Sequence, residues 1–398
     1  MMFDFSITPE IQELVQRVRR FVDEVVIPAE AHAFDDPIEG LPPAILADLR
    51  AQAKSAGLYA ATMPTTLGGL GLSITEFTPV LETAGRSLIG ALALGCAAPD
   101  EGNMHLLHLF ANDAQRERYL KPLVRGDIFS AFGMTEPAPG VGSDPSMLKT
   151  SARRDGDGWV IDGHKWWTTN AGVADFMIIM ARTEGEGGAT LFLCPMDTDG
   201  IEIVRRVPHM GGPDFGGHCE IKLNGVRLKD SDILGEVGRG YALVQARLGP
   251  ARMTHCMRWT GIAQRALEIA AAYANQREAF GTTLGGHQAV QWMLADSATE
   301  LHAGRLMIQH CAWLLERGEQ ARQETSMCKI HVSETVCRVL DRAIQICGGL
   351  GISRDIPLSH WYESARAFRI YDGASEVHRM VVARQVLKHF GGTRPAQH

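Results

Sequence analysis

The sequence predicts an α+β fold in three stretches: an N-terminal helical domain over 1–128, an antiparallel β-domain over 129–238, and a C-terminal four-helix bundle over 239–398. Three observations carry that expectation. Apolar residues near the start recur at helical spacing, short β-rich runs replace them from about 129, and long helical stripes return after Gly240.

The first helix is announced by Thr8 as N-cap and Pro9 at the first helical position. Ile11, Leu14, Val15, Val18, Phe21, Val22 and Val25 then form one apolar stripe that ends near Pro28. Pro42-Pro43 and the glycine-rich Leu67 to Gly71 interrupt the helical segments that follow. In the middle stretch, Trp159 to Ile161, Phe176 to Met180 and Thr190 to Leu193 read as strands, and Asn224-Gly225 reads as a hairpin turn between two short strands. Four C-terminal helices follow. They are marked by Ile262, Ala266, Ile269 and Tyr273, then Leu294, Ala298 and Leu301, then Val336, Leu340, Ala343 and Cys347, then Val377, Met380 and Val381. Gly348-Gly349 is a helix stop.

Composition narrows the function. Hydrophobic residues at 45% and charged residues at 21% are those of an ordinary soluble globular protein. A net charge of −7 gives no support to nucleic acid as main partner. No run of about eighteen uncharged apolar residues suggests a membrane span. Met1 to Phe5 do not resemble a secretion signal or transit peptide, and Gly392 to His398 are neither a peroxisomal address nor a lipidation signal. The eight cysteines contain no Cys-x-x-Cys pair and read as reduced packing residues of a cytoplasmic protein. The fifteen histidines give no metal signature, so no metal is expected. Gly235 to Gly240 has the wrong glycine order for a dinucleotide fingerprint and reads as a flexible entry to a long helix.

Near the C-terminus, Arg369 to Arg379 places a lone carboxylate, Asp372, between Tyr371 and Gly373, just before helical apolar spacing. Gly373 leaves room for a substrate against the backbone, and Ser375 is positioned to cap the next helix. Such a carboxylate suits a single general base, although the motif alone reads more readily as a solvated Asp-Gly turn before a helix. Two further segments bear on chemistry. Phe132 to Asp144 joins hydroxyls and free amides to a glycine-rich turn, and Gly163 to Asn170 sets Trp166 and Trp167 beside Thr168 and Thr169. A flat, electron-poor heterocycle needs an apolar face and donors along its edge. Each segment alone is also compatible with a packed tryptophan pair and a polar loop.

Taken in order, these motifs resemble the acyl-CoA dehydrogenase family. Met134 to Pro137, Lys165 to Asn170, Gln276 to Gly281, His287-Gln288, Gln345 to Gly351 and Tyr371 to Gly373 fall where that family has them, over nearly the whole chain. The resemblance implies bound FAD, with Phe132, Met134, Thr135, Trp167 and Thr169 around the isoalloxazine and Ser143 near flavin and thioester. Arg277, Phe280, Gln288, Gln345 and Gly349 would hold the adenine-diphosphate half, largely from a neighbouring subunit of a homotetramer or homodimer. Ser375 and Glu376 join the cofactor set by the same positional match. Arg252, Tyr371 and Gly373 would face the substrate, although an interhelix ion pair accounts for Arg252 equally well.

The activity implied is α,β-dehydrogenation of an acyl-CoA to a trans-2-enoyl-CoA, as in fatty acid β-oxidation. Asp372 would take the α-proton while the β-hydrogen leaves as hydride to flavin N5, and an electron-transfer flavoprotein would be reduced. Desolvation by an apolar acyl chain is expected to raise the carboxylate pKa toward working pH.

One departure stands out. The family base at this position is usually Glu, and Asp is shorter by about 1.5 Å, one carbon–carbon bond. Members that carry their base on the long helix after the β-domain have it where Ala251 stands here. An Asp base resembles a branch whose animal members are fused to a kinase-like domain. Gly216 to Ile221, Arg247 to Arg252 and Ser375 to Arg379 are similar to that branch. Nitroalkane oxidases, which use Asp on a carbon acid and pass electrons to oxygen, are the alternative. A DNA-associated flavoprotein of the same fold is a further one, disfavoured by the acidic balance.

Overall fold

A computed structural model describes residues 6–34, 40–185, 187–212 and 214–391. The readings of both chain ends, on Met1 to Phe5 and Gly392 to His398, lie outside the described residues.

The N-terminal stretch is helical. Helix α1 (Pro9–Phe21) starts where the Thr8 hydroxyl accepts the Ile11 N–H, and it buries Ile11, Leu14, Val18 and Phe21. Its stripe continues through a π-helical turn (Val22–Val26), so Pro28 sits inside a further helical turn and does not end it. Helix α2 (Pro43–Ser55) begins with its proline at the first helical position. Helix α3 (Ile74–Ala84) opens on a reciprocal capping box between Ser73 and Glu76. Helix α4 spans Asp100–Phe110.

Seven of the eight middle strands form one path in the order β6-β7-β3-β2-β4-β5-β8. The strands are β1 (Ser130–Gly133), β2 (Ser151–Asp155), β3 (Gly158–Thr169), β4 (Phe176–Thr183), β5 (Ala189–Pro195), β6 (Ile201–Arg206), β7 (His218–Lys229) and β8 (Ile233–Leu234). Alternate residues Trp159 and Ile161, Met177 and Ile179, and Phe192 and Cys194 turn to a common core. The sheet corrects the sequence reading in two ways. It is not purely antiparallel, because β4 pairs in parallel with both β1 and β2. Nor is Asn224-Gly225 a hairpin: both lie inside β7, opposite the single residue Asp162 of β3. Gly225, at φ +67, donates its N–H to the Asp162 carboxylate at 2.7 Å. A bulge with left-handed glycine and a tight hairpin both use positive φ, so one dipeptide serves either.

The C-terminal helices are long: α5 (Gly240–Gln276), α6 (Gln288–Glu316), α7 (Arg322–Cys347), α8 (Leu358–Arg366) and α9 (Ser375–His389). A small hairpin of β9 (Glu278–Ala279) and β10 (Thr282–Thr283) links α5 to α6. Helix α7 packs against α6, α8 and α9. Gly348, at φ +57, ends it as expected. Ser375 does not cap α9: Ala374 is the N-cap, without a side-chain bond, and Ser375 is the buried first helical residue.

The described residues fall into two compact units, one within Met1–Pro28, Ser73–Ala91 and Arg252–His398, the other within Ala29–Leu72 and Leu92–Ala251. All eight cysteines are free and seven are buried, as packing residues would be. Among the described residues no helix is long and apolar enough to cross a membrane.

Candidate active site

In the first unit, one face of α5 holds the loop that carries Asp372. Arg252, His255, Arg258 and Trp259 are three or four residues apart and so share a side of the helix. Asp372 adopts φ +53, a left-handed conformation that Asp tolerates better than most residues. Its carbonyl accepts the Arg252 Nε–H at 2.9 Å and faces His378 Nε2 at 3.3 Å. Its carboxylate Oδ2 lies 2.9 Å from Nε2 of His255, whose side chain is buried. The Tyr371 phenol oxygen accepts from Trp259 Nε1 at 2.5 Å and from Arg258 at 3.1 Å. Lys329 of α7, fully buried, donates to the carbonyls of Phe368, Tyr371 and Gly373 at 2.7, 3.1 and 3.3 Å. Its ammonium thus gathers three carbonyls around the loop.

Gly373 is required by space and by conformation. It sits at φ +101, and a Cβ there would lie 2.7 Å from His378 Nε2. Burial pushes both histidines toward the neutral form. For His378 it does so with help from Arg252 and Lys329, to about 4. In His255 burial outweighs the opposing pull of Asp372. Burial likewise lowers Lys329.

Arg277 and Phe280 lie at the other end of α5, roughly 35 Å from Arg252 at 1.5 Å per residue. Phe280 is 99% exposed and at φ +53, and Arg277, Gln288, Gln345 and Gly349 are all exposed. A bulky non-glycine residue in a left-handed backbone is uncommon.

In the second unit, the two sequence segments singled out above are hydrogen-bonded to each other. Trp166 N–H donates to the Thr135 carbonyl at 2.8 Å, and Lys165 Nζ donates to the Met134 carbonyl at 3.2 Å. Lys165 is buried and paired with Glu136 at 2.9 Å. The Glu136 carboxylate also accepts from the N–H groups of Lys149 and Thr150. Burial alone would raise the Glu136 carboxyl, but Lys165 and these donors hold it down to about 2. A second bulge lies between Lys165 and Thr168, where Trp166 and Trp167 together oppose Glu220. It sets Trp167 at φ +56 with 41% of its surface exposed.

Phe132 stacks under the Arg247 guanidinium at 4.4 Å. Thr169 Oγ1 is 2.9 Å from Nδ1 of His218, whose Nε2 is 3.0 Å from Asp214. With His209, these two form a cluster whose ligand-type atoms lie within 4.8 Å of one another, a proximity that sequence spacing did not signal. Trp166 Nε1 and the Thr168 hydroxyl are buried without hydrogen-bond partners among the described residues. Ser143 is exposed in the loop after Glu136. An exposed indole face, with donors and hydroxyls on the same strand, fits a flat heterocycle.

Sequence models of three domains of one family match in this order: the N-terminal domain over 8–127, the middle domain over 131–226 and the C-terminal domain over 238–387. The family is the acyl-CoA dehydrogenases. This chain belongs to it. A Mycobacterium tuberculosis (strain ATCC 25618 / H37Rv) protein named "Probable acyl-CoA dehydrogenase FadE2" is 40% identical, over 96% of this chain and 97% of that one. Acyl-CoA dehydrogenase family member 11 of Rattus norvegicus is 36% identical over 95% of this chain, which spans only 50% of that relative. The structure of butyryl-CoA dehydrogenase from Megasphaera elsdenii matches with a TM-score of 0.86 at 26% identity, covering 97% of this chain and 100% of that one. This acyl-CoA dehydrogenase is therefore an oxidoreductase with the family's succession of helical, β and helical parts.

Of the residues expected from sequence, Asp372, Tyr371, Gly373 and Arg252 meet in one place, and Met134 and Thr135 meet the tryptophan strand. Ser375 is buried and Glu376 exposed at the start of α9. His255, Lys329, His378 and His218 were missed. The only signal for His255 was its place one helical turn after Arg252.

Proposed function

We propose that this acyl-CoA dehydrogenase binds FAD and converts an acyl-CoA thioester to a trans-2-enoyl-CoA, with Asp372 as the α-proton base. The observation that carries the proposal is the Asp372 loop. Its carboxylate is the acid at the position where the family resemblance puts the base, and five side chains of α5 and α7 hold it, its backbone and its neighbours in place.

Bound FAD supplies the two-electron acceptor for the hydrogen leaving the β-carbon. The chain's own residues do the rest. Asp372 Oδ atoms take the α-proton, and the Asp372 N–H, in a turn fixed by Lys329 and Arg252, serves the thioester oxygen as charge develops on it. Gly373 lets the acyl group lie against the backbone. Trp167, Thr169, Met134, Thr135 and Phe132 carry the ring of the cofactor, and Ser143 lies toward the thioester. Arg277, Phe280, Gln288, Gln345 and Gly349 hold the adenine-diphosphate half of a neighbouring subunit's FAD, which makes the active form a homo-oligomer. An exposed guanidinium matches a pyrophosphate. Ser375 is too buried for direct cofactor contact, whereas Glu376 is exposed.

Electrons pass to an electron-transfer flavoprotein. The Asp base and the likeness to family member 11 support a place in the branch whose animal members carry a kinase-like domain.

The test is anaerobic bleaching of the flavin by a panel of acyl-CoAs of different length and branching, set against a primary nitroalkane. Bleaching by at least one acyl-CoA, with release of the enoyl-CoA, is expected. Bleaching by nitroalkane alone, with rapid reoxidation by oxygen, would assign an oxidase instead.

A further inference from the structure

We infer that His255 is the positioning residue of the base: as a neutral imidazole it donates Nε2–H to the Asp372 carboxylate and fixes where that short side chain stands. The inference rests on the reading of Asp372 as the base. Two independent contacts determine the proton's place. Arg258 Nε, which can only donate, is 3.0 Å from His255 Nδ1, so Nδ1 must present its lone pair. In a neutral imidazole the remaining proton is then on Nε2, which is the atom 2.9 Å from Asp372 Oδ2. The imidazole is also wedged, with its ring 4.8 Å from the Tyr371 ring at 61° and 6.3 Å from the Phe368 ring.

The charged groups facing His255 are Asp372 from the loop, Arg258 from its own helix and Lys329 from α7. Burial together with the two cations opposes a second proton on the ring, and only Asp372 favours one.

This arrangement answers the missing methylene. A Glu base reaches about 1.5 Å further than Asp. An Asp can compensate only if its carboxylate is held at one spot, because misplacement by about 1 Å can cost a hundredfold in rate. His255 supplies that hold from a rigid helix, and Arg258 fixes the tautomer that makes it a donor. The same N–H favours the ionised carboxylate, the form a base needs.

The test compares His255→Leu, which removes the donor, with His255→Gln, whose amide N–H reaches a similar distance. Asp372→Asn is the control, and all are FAD-loaded oligomers. In His255→Leu, flavin reduction by a bleaching acyl-CoA should slow by about ten- to a hundredfold, while substrate affinity changes by less than about twofold. Its acid limb in the pH–rate profile should move to higher pH, because the carboxylate has lost a donor to its charged form. His255→Gln should recover most of the rate and return the limb. In selectively 15N-labelled wild-type enzyme, the histidine signal lost in either variant should show a protonated Nε2 and a bare Nδ1.

Wild-type rates with an unmoved limb in His255→Leu would overturn the inference, as would His255→Gln being as slow as His255→Leu. If His255→Leu does not fold, His255→Gln and the 15N spectrum decide, and the opposite tautomer would overturn it. Normal turnover by Asp372→Asn would remove the base reading itself. A dead Asp372→Asn beside a normal His255→Leu would remove only the role of His255.

Discussion

Asp372 was visible in the sequence because Tyr371-Asp372-Gly373 closes an ordered series of family motifs; what holds it was not. Its partners come from α5 and α7, distant in sequence, and a histidine within an apolar helix carries no mark of its function. Lys329 looked like any helical lysine, yet it is fully buried and spends its protons on three carbonyls of one loop. Glu136 shows the same limit. It appeared as part of a motif, and the structure makes it the counter-charge of buried Lys165. Replacing Glu136 with Gln strands that ammonium, and the loss of stability in urea unfolding should be about 3–5 kcal/mol, the range for breaking a buried pair. The pH dependence follows from the sign of the shift. The Glu136 carboxyl is held down to about 2, below its ordinary 4.5, so its stabilisation is complete above the unfolded value and is lost as pH falls toward 2. Wild type should therefore lose stability across that window more steeply than Glu136→Gln. Parallel curves for the two would contradict the pairing.

Helices α3 and α5 meet through glycines. A Cβ on Gly261 would lie 2.0 Å from the Glu82 carbonyl oxygen, and one on Gly85 would lie 2.2 Å from that of Arg258. Backbone stands on both sides, so neither contact can relax by a rotamer change. Gly261→Ala should cost roughly 1–3 kcal/mol and, by shifting the helix that bears His255 and Arg258, should also slow flavin reduction. An unchanged unfolding midpoint would show that the crossing is looser than described. Helices were legible at this scale because caps, stripes and stops are local: Thr8, Ser73 and Gly348 behave as their residue types demand. The sheet was less legible. Strand β3 runs through the tryptophan pair, and the bulge that turns Trp167 outward depends on Glu220 of β7, which no window of local sequence contains. Parallel pairing of β4 is likewise a matter of partners, although its continuous apolar run fits a strand buried on both faces.

Across the molecule, the succession of helical, β and helical parts was readable from periodicity alone, and the motif order identified the family. The two compact units do not follow that succession, since α1 and α3 belong with the C-terminal helices while α2 and α4 belong with the sheet. Sequence order could not show this, because it follows from packing between distant segments. Phe280, fully exposed beside Arg277, is explained at this scale by the proposed neighbouring subunit. Arg277→Ala should lower FAD content and make its retention sensitive to dilution, and a variant that keeps full FAD at all concentrations would argue against cofactor binding across subunits.

The proposed activity turns on Asp372. The most direct measurement is anaerobic stopped-flow reduction of the flavin in Asp372→Asn, using an acyl-CoA that bleaches the wild-type enzyme. Full FAD content with reduction slowed by more than about a hundredfold, the lower range for removal of a general base, is the result expected. Reduction at close to the wild-type rate would contradict the assignment of the base.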